Sequence, residues 1–434
     1  MSNRKPPGST IPTKTIDPFQ PIDFKKRFPA LDGIRALAIA LVFIEHFGGG
    51  SHGGRFLNAI NQIRLRGWVG VDLFFVLSGF LITGILFDTR FDSHYFKRFF
   101  LRRSVRIFPI FYLVVAILLV LAPILHYHLR LGHALFLVYM GNFLGNYNFS
   151  YYVFTSPSHP NIPFNIGHFW SLCVEEQFYL LWPVVVWKFR ERITLIRVAF
   201  GVVLLATILR ASLFLVFGTV LAERWGVRTL PFRMDSLAIG GILALLLRGP
   251  NANRWQRMCR PLFIVAGTAF LILSLAGIDM WASAVGSAFG LSLTALASVG
   301  LIGMALPDAS ATYALFYSKP LRVLGKYSYG FYVYHDIFVW TWIQLLVLLM
   351  GTLHSMMLAG IIALTSNFVV TFIVAKLSYD LYEVKFLRLK RYMEYDSEQV
   401  EHRHTFIEEL SVALEPNEEP QLEVPIGAPG SHQD

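Results

Sequence analysis

Arg35 and His46 stand eleven positions apart in the first long apolar run, LDGIRALAIALVFIEHFGG, residues 31–49. An α-helix turns about 100° and rises about 1.5 Å per residue, so eleven steps end about 20° from the start and about 16 Å further on. The two side chains therefore share one stripe of a membrane helix. Ionisable groups at membrane depth are costly and are functional candidates by default. A histidine, with an unperturbed pKa of about 6.5, suits proton transfer. A neutral His46 could deprotonate a hydroxyl that approaches from outside. The competing structural readings are an Arg35 that snorkels to the cytoplasmic interface and a His46 that makes an interhelical hydrogen bond. Glu45 lies about 100° round the helix from His46 and need not share its cavity.

Further along, Lys97, Arg98, Arg102, Arg103 and Arg106 form a dense cationic cluster. Arg103 and Arg106 are three apart and share a helix face. Arginine forks match phosphate oxygens, although lipid headgroup binding and a topology signal explain such a cluster equally well. Glu175 and Glu176, in HFWSLCVEEQFYLLWP (168–183), sit inside an apolar run and need a wet cavity or a cation. Arg233 and Asp235 in PFRMDSLAIGG (231–241) open another run, with a structural ion pair as the leading reading. LGKYSYGFYVYHD (324–336) adds Tyr327, several further tyrosines, His335 and Asp336; GVDLFFVLSGFLIT (70–83) adds Asp72.

These residues need helices to hold them. Ten spanning helices are expected, near 33–48, 69–87, 107–126, 170–188, 196–217, 231–247, 261–277, 281–305, 327–350 and 355–378. The basic connections at 97–106, 188–197, 248–257 and 318–326, with basic ends near Lys25–Arg27 and Lys385–Arg391, all fall on the cytoplasmic side if both termini are inside. The segment 131–147 is apolar, but counting it as a span would push the next basic loop outside. It is expected to be interfacial or re-entrant, with 147–169 outside.

Composition agrees with an all-α polytopic membrane protein. Apolar residues make up 55% and charged residues 15% of 434, and the mean hydropathy is +0.52. Three stretches follow: a basic cytoplasmic segment over 1–28 without the apolar core of a signal peptide, a membrane unit over 29–390, and an acidic flexible tail over 391–434. From Glu394 to Asp434 there are eleven acidic residues and one basic, so the tail carries about −10 of a net charge of +10 and leaves about +20 elsewhere. A short helix near 398–413 is compatible with that tail. The basic residues cluster between apolar runs, so topology accounts for them better than nucleic-acid binding does. Two cysteines argue against a disulfide or zinc framework. The sequence holds no Walker or H-E-x-x-H motif, so ATP-driven transport and zinc hydrolysis lose support.

Taken together, the blocks resemble the acyltransferase-3 family of integral-membrane acyltransferases, over about residues 28–390. Arg35 and His46 match the family's Arg/Lys, ten residues, His motif, and Arg103 and Arg106 match its R-x-x-R motif. GVDLFFVLSGFLIT, FWSLCVEEQFYLLWP, FRMDSLAIGG, LGKYSYGFYVYH and LSYDLYEVKFLRL (377–389) follow in the family's order. Val384 and Lys385 depart from its usual Glu-x-Pro-Phe, which puts the role of Glu383 in doubt. The resemblance implies O-acylation, usually O-acetylation, of sugars. Cytoplasmic acyl-CoA is the implied co-substrate, with no permanently bound cofactor and no metal. Implied acceptors are a carbohydrate, glycolipid or glycoside, and the implied location is a bacterial inner membrane. On this footing Arg103 and Arg106, with Arg102 and Tyr327 beside them, are expected to bind the donor. His46 is expected to act as general base, with Arg35 orienting the donor or stabilising the oxyanion and Glu176 shaping the cavity. A proton-coupled transporter or a lipid-binding membrane protein is the alternative, although no internal repeat is evident.

Overall fold

The computed structural model describes residues 22, 24, 28–47, 64–143, 153–155, 164–280, 283 and 285–393. The expected acidic tail beyond 393, with its short helix, lies outside the described residues, as do the basic residues 25–27 and most of the 147–169 loop. The described chain is helical almost throughout. Its one sheet is a two-stranded antiparallel ribbon, β1 (Val153–Phe154) against β2 (Phe164–Asn165).

The helices are α1 (Pro29–Phe47), α2 (Val69–Asp88), α3 (Tyr95–Ile124), α4 (Phe169–Lys188), α5 (Arg192–Arg228), α6 (Leu230–Leu246) and α7 (Ala252–Leu275). A wider turn over Gly286–Gly290 leads into α8 (Leu291–Met304). Three short helices follow, α9 (Ala311–Phe316), α10 (Lys319–Lys326) and α11 (Ser328–Tyr334), before α12 (Val339–Leu353) and α13 (Met356–Ser378), whose helical path runs on to Tyr392.

Each of the ten expected spans overlaps helix among the described residues. Six helices are long and apolar enough to cross a bilayer, and a seventh joins them if α11 and α12, bent by 73°, form one broken span. The chain is thus an all-α, multi-pass membrane protein. The other three fall short in charge, hydropathy or length: α1 carries Asp32, Arg35 and Glu45, α4 carries Glu175 and Glu176, and α6 is only 17 residues long. Apolar residues point outward along α5, α7, α12 and α13, as lipid contact requires; Leu215, Val265, Leu275, Val347 and Met357 are all exposed.

Two expectations need correction. The basic stretch 97–106 is not a connection, because α3 begins at Tyr95 and carries it on its first turns; Lys and Arg are good helix formers and no breaker intervenes. The ninth span is not continuous, because the helix breaks between Tyr334 and Val339. Residues 131–138 form a 3₁₀ stretch of eight residues, about 16 Å long and too short to span, which agrees with an interfacial placement.

Helix α2 is the buried axis of the bundle. It meets α6 through glycines set into each other's backbone: a Cβ on Gly79 would fall on the Leu237 carbonyl, and one on Gly240 on the Val76 carbonyl. That close approach brings charges together. Arg233 on α6 donates to Asp72 on α2 at 2.6 Å, and Asp72 also accepts from Ser236 and Thr294. Arg210 on α5 donates to Asp235 on α6 at 2.7 Å. Arg233 and Asp235 thus pair outward to different helices, as the structural reading of that motif allows.

Candidate active site

A cavity of about 290 Å³ lies among α1, α2, α3, α4 and α11. Arg35, Arg103, Arg106, Glu175 and Glu176 all line it. Helix spacing brings Arg103 and Arg106 to one face. The Arg103 guanidinium lies 4.2 Å over the Tyr179 ring, and the Tyr179 hydroxyl pairs with that of Ser78. Arg35 is held by Asp32, one turn back, at 2.6 Å. The Glu176 Oε1 is buried and has no hydrogen-bond partner among the described residues. The result is a cavity lined by three guanidinium groups and two carboxyl groups.

A second cavity, of about 350 Å³, contains His46. His46 Nδ1 lies 2.9 Å from the Val42 carbonyl, one turn back in α1. A carbonyl can only accept, so Nδ1 carries the proton of the neutral ring and Nε2 keeps its lone pair. That is the arrangement a general base needs. Glu45 lines the same cavity despite its 100° offset. The His46 ring meets His335 edge-on at 5.1 Å, and His335 in turn meets His168 at 4.8 Å. His168 Nδ1 faces Asp336 at 3.5 Å, and Asn165 donates to that carboxylate at 2.7 Å. The ribbon strand β2 supplies Asn165, and the break between α11 and α12 supplies His335 and Asp336. Among the described residues, no group of three or more His, Cys, Asp or Glu is arranged to hold a metal ion.

The two cavities share Val71 and Tyr332 in their walls. Tyr332 donates to the His168 carbonyl at 3.0 Å and pairs with the Ser171 hydroxyl at 2.5 Å. A third cavity, of about 230 Å³, shares Arg35, Leu81 and Ile85 with the arginine-lined one. The order is the same on both helices that run beside them. Along α2 the walls pass from Asp88 through Leu81 and Ser78 to Val71, about 26 Å. Along α1 they pass from Asp32 and Arg35 to Glu45 and His46.

This order separates residues that the sequence grouped together. Arg35 stands about 16 Å along α1 from His46 and lines the arginine-lined cavity, whereas His46 lines the second. Arg35 is thus grouped with Arg103 and Arg106 rather than with His46. Glu176 also lies on that side. Arg102 points elsewhere and donates to the Met393 carbonyl at 2.9 Å. Tyr327 lines none of these cavities; its ring packs on Phe372 and Tyr379. The tyrosine at the junction is Tyr332, one of several in its block. Ser171 and His168 had no sequence signal beyond lying in the block that holds Glu175.

A family model described as an acyltransferase domain matches residues 28–376. The chain is 28% identical to the peptidoglycan O-acetyltransferase OatA of Listeria monocytogenes, over 72% of this chain and 49% of that protein. It is 30% identical to the putative peptidoglycan O-acetyltransferase YrhL of Bacillus subtilis, over 71% and 48%. With the O-acetyltransferase OatA of Staphylococcus aureus it shares 28% identity, over 74% and 52%. The chain thus spans about half the length of the curated relatives it matches. No solved structure matches it. With a family model covering the arginine-lined and His46 cavities alike, the chain belongs to the acyltransferase-3 family.

Proposed function

We propose that this protein transfers an acyl group, most simply acetyl, from cytoplasmic acyl-CoA to a hydroxyl of a cell-surface or secreted carbohydrate or glycoside. It would do so in a bacterial plasma membrane, with both termini in the cytoplasm. The names of its relatives favour a cell-wall glycan as the acceptor. One observation carries the reading: the guanidinium groups and the base-competent histidine line successive cavities along α1 and α2 that have Val71 and Tyr332 in common. A donor with phosphates at one end and a thioester on a long arm fits that order.

In this reading Arg103 and Arg106 hold the donor phosphates, and Arg35 orients the arm where it enters. The thioester reaches the Val71–Tyr332 junction. The acceptor hydroxyl enters the second cavity from the outer side and gives its proton to His46 Nε2. Its oxygen attacks the thioester carbonyl carbon, and the C–S bond breaks as the tetrahedral intermediate collapses. The imidazolium returns its proton to the departing thiolate. The products are an O-acyl ester and free CoA thiol, and no covalent protein intermediate is required.

The test compares glycans and secreted glycosides from cells carrying the wild type, no copy, or His46→Ala, by mass spectrometry before and after mild base. The expected result is a base-labile acyl group present only with the wild type. Full acylation by His46→Ala at normal membrane abundance would remove His46 as the base. Identical profiles with and without the protein, combined with no acetyl-CoA binding by the purified protein, would overturn the function and favour the transporter alternative.

A further inference from the structure

The third cavity sits beside the donor path and has no part in the mechanism above. Its walls are chemically different from those of the arginine-lined one. Phe24, Phe28 and Phe80 supply aromatic surface, and Asp88 and Arg248 supply polar edges. The Arg248 guanidinium lies 3.9 Å from the centroid of the Phe24 ring, and Phe28 meets Phe24 edge-on at 5.8 Å. Arg248 is itself pinned by two 2.7 Å bonds to the Asp88 carboxylate and a third to the Ala244 carbonyl. The other charged pair in the wall, Asp32 with Arg35, is also closed. Each guanidinium is thus matched by a carboxylate, so the cavity offers no net charge to a phosphate. Flat aromatic and guanidinium surfaces with polar rims suit a heteroaromatic ring, which stacks on such planes and hydrogen-bonds at its edges.

Its position gives that ring a source. Arg35, Leu81 and Ile85 form the common wall with the cavity of Arg103 and Arg106, on the side away from His46. Resting on the donor assignment made above, we infer that this aromatic annex binds the purine of the nucleotide end of the donor, with Phe24 as its stacking surface. The nucleotide phosphates then fall between annex and thioester arm, beside Arg103 and Arg106. The annex makes the protein selective for a nucleotide-linked thioester over a bare pantetheine thioester.

Calorimetric binding to purified full-length protein in nanodiscs separates this inference from the one beneath it. The probes are acetyl-CoA and S-acetyl-4′-phosphopantetheine, which lacks the nucleotide. The wild type is expected to bind acetyl-CoA more tightly than the truncated donor. Phe24→Ala is expected to weaken acetyl-CoA about tenfold, the scale of one lost base–aromatic stack, and to leave binding of the truncated donor unchanged, while Phe24→Tyr retains the wild-type affinities. Equal weakening of both probes by Phe24→Ala would make Phe24 a packing residue and overturn the inference. Equal wild-type affinity for both would overturn it while leaving the donor assignment standing. Binding of neither probe would refute the donor assignment and this inference with it.

Discussion

Replacing Arg233 by methionine tests what holds α2 against α6. Arg233 and Asp72 are 1% and 0% exposed and lie 2.6 Å apart. Methionine keeps an unbranched apolar stem but removes the charge, leaving Asp72 buried with only hydroxyl donors, Ser236 at 3.2 Å and Thr294 at 2.7 Å. Breaking a buried pair from one side costs roughly 3–5 kcal/mol. Removing both charges, in Asp72→Leu with Arg233→Met, should cost far less. Thr294 still has the Leu291 carbonyl as an acceptor at 2.8 Å, so only the Ser236 hydroxyl is left without its partner, a loss of about 1–3 kcal/mol. The two substitutions should therefore be strongly non-additive, with the double variant more stable than Arg233→Met alone. Reversible denaturation in mixed micelles, followed by tryptophan fluorescence, would measure all four corners of the cycle. A loss below about 1 kcal/mol for Arg233→Met, or simple additivity in the double variant, would refute the claim that the pair ties the two helices together.

The remaining predictions concern the α2–α6 contact and the donor site. Gly79→Val drives a side chain into the Leu237 carbonyl and should cost about 1–3 kcal/mol or more by overpacking; unchanged denaturation would contradict the close α2–α6 contact. Arg103→Ala should weaken acetyl-CoA binding about tenfold through loss of a charge-assisted contact, without changing acceptor affinity, and equal donor affinity measured by calorimetry would remove Arg103 from the donor site. Glu176→Gln replaces a buried carboxyl group whose Oε1 has no hydrogen-bond partner among the described residues, and it should leave thermal stability nearly unchanged while lowering acyl transfer; a clear fall in the melting temperature would show that the carboxyl group is structurally required.

Much of this arrangement is visible in the residue order. The eleven-residue step from Arg35 to His46 sets both on one stripe of α1 because helical geometry is local. The Arg103–Arg106 spacing sets one face for the same reason, and the glutamates of α4 announce a cavity because an apolar helix tolerates them only there. The apolar runs dictate a bundle of membrane helices, since only internally bonded backbone survives in lipid.

Tertiary contact decided the rest. Arg35 and His46 share a stripe but line different cavities, which have Val71 of α2 and Tyr332 of α11 in common. The chain breaks helical register at Tyr327 and again after Tyr334, so no single periodicity shows that Tyr332 rather than Tyr327 faces the cavities. The column of His46, His335 and His168 draws on α1, the α11–α12 break and the start of α4, segments more than a hundred residues apart. Asp72 and Arg233 read individually as two costly buried charges, and only the glycine-to-backbone contact of α2 with α6 makes them one pair. Periodicity records which way a side chain leaves its own helix; what it meets there depends on helices whose sequence lies elsewhere.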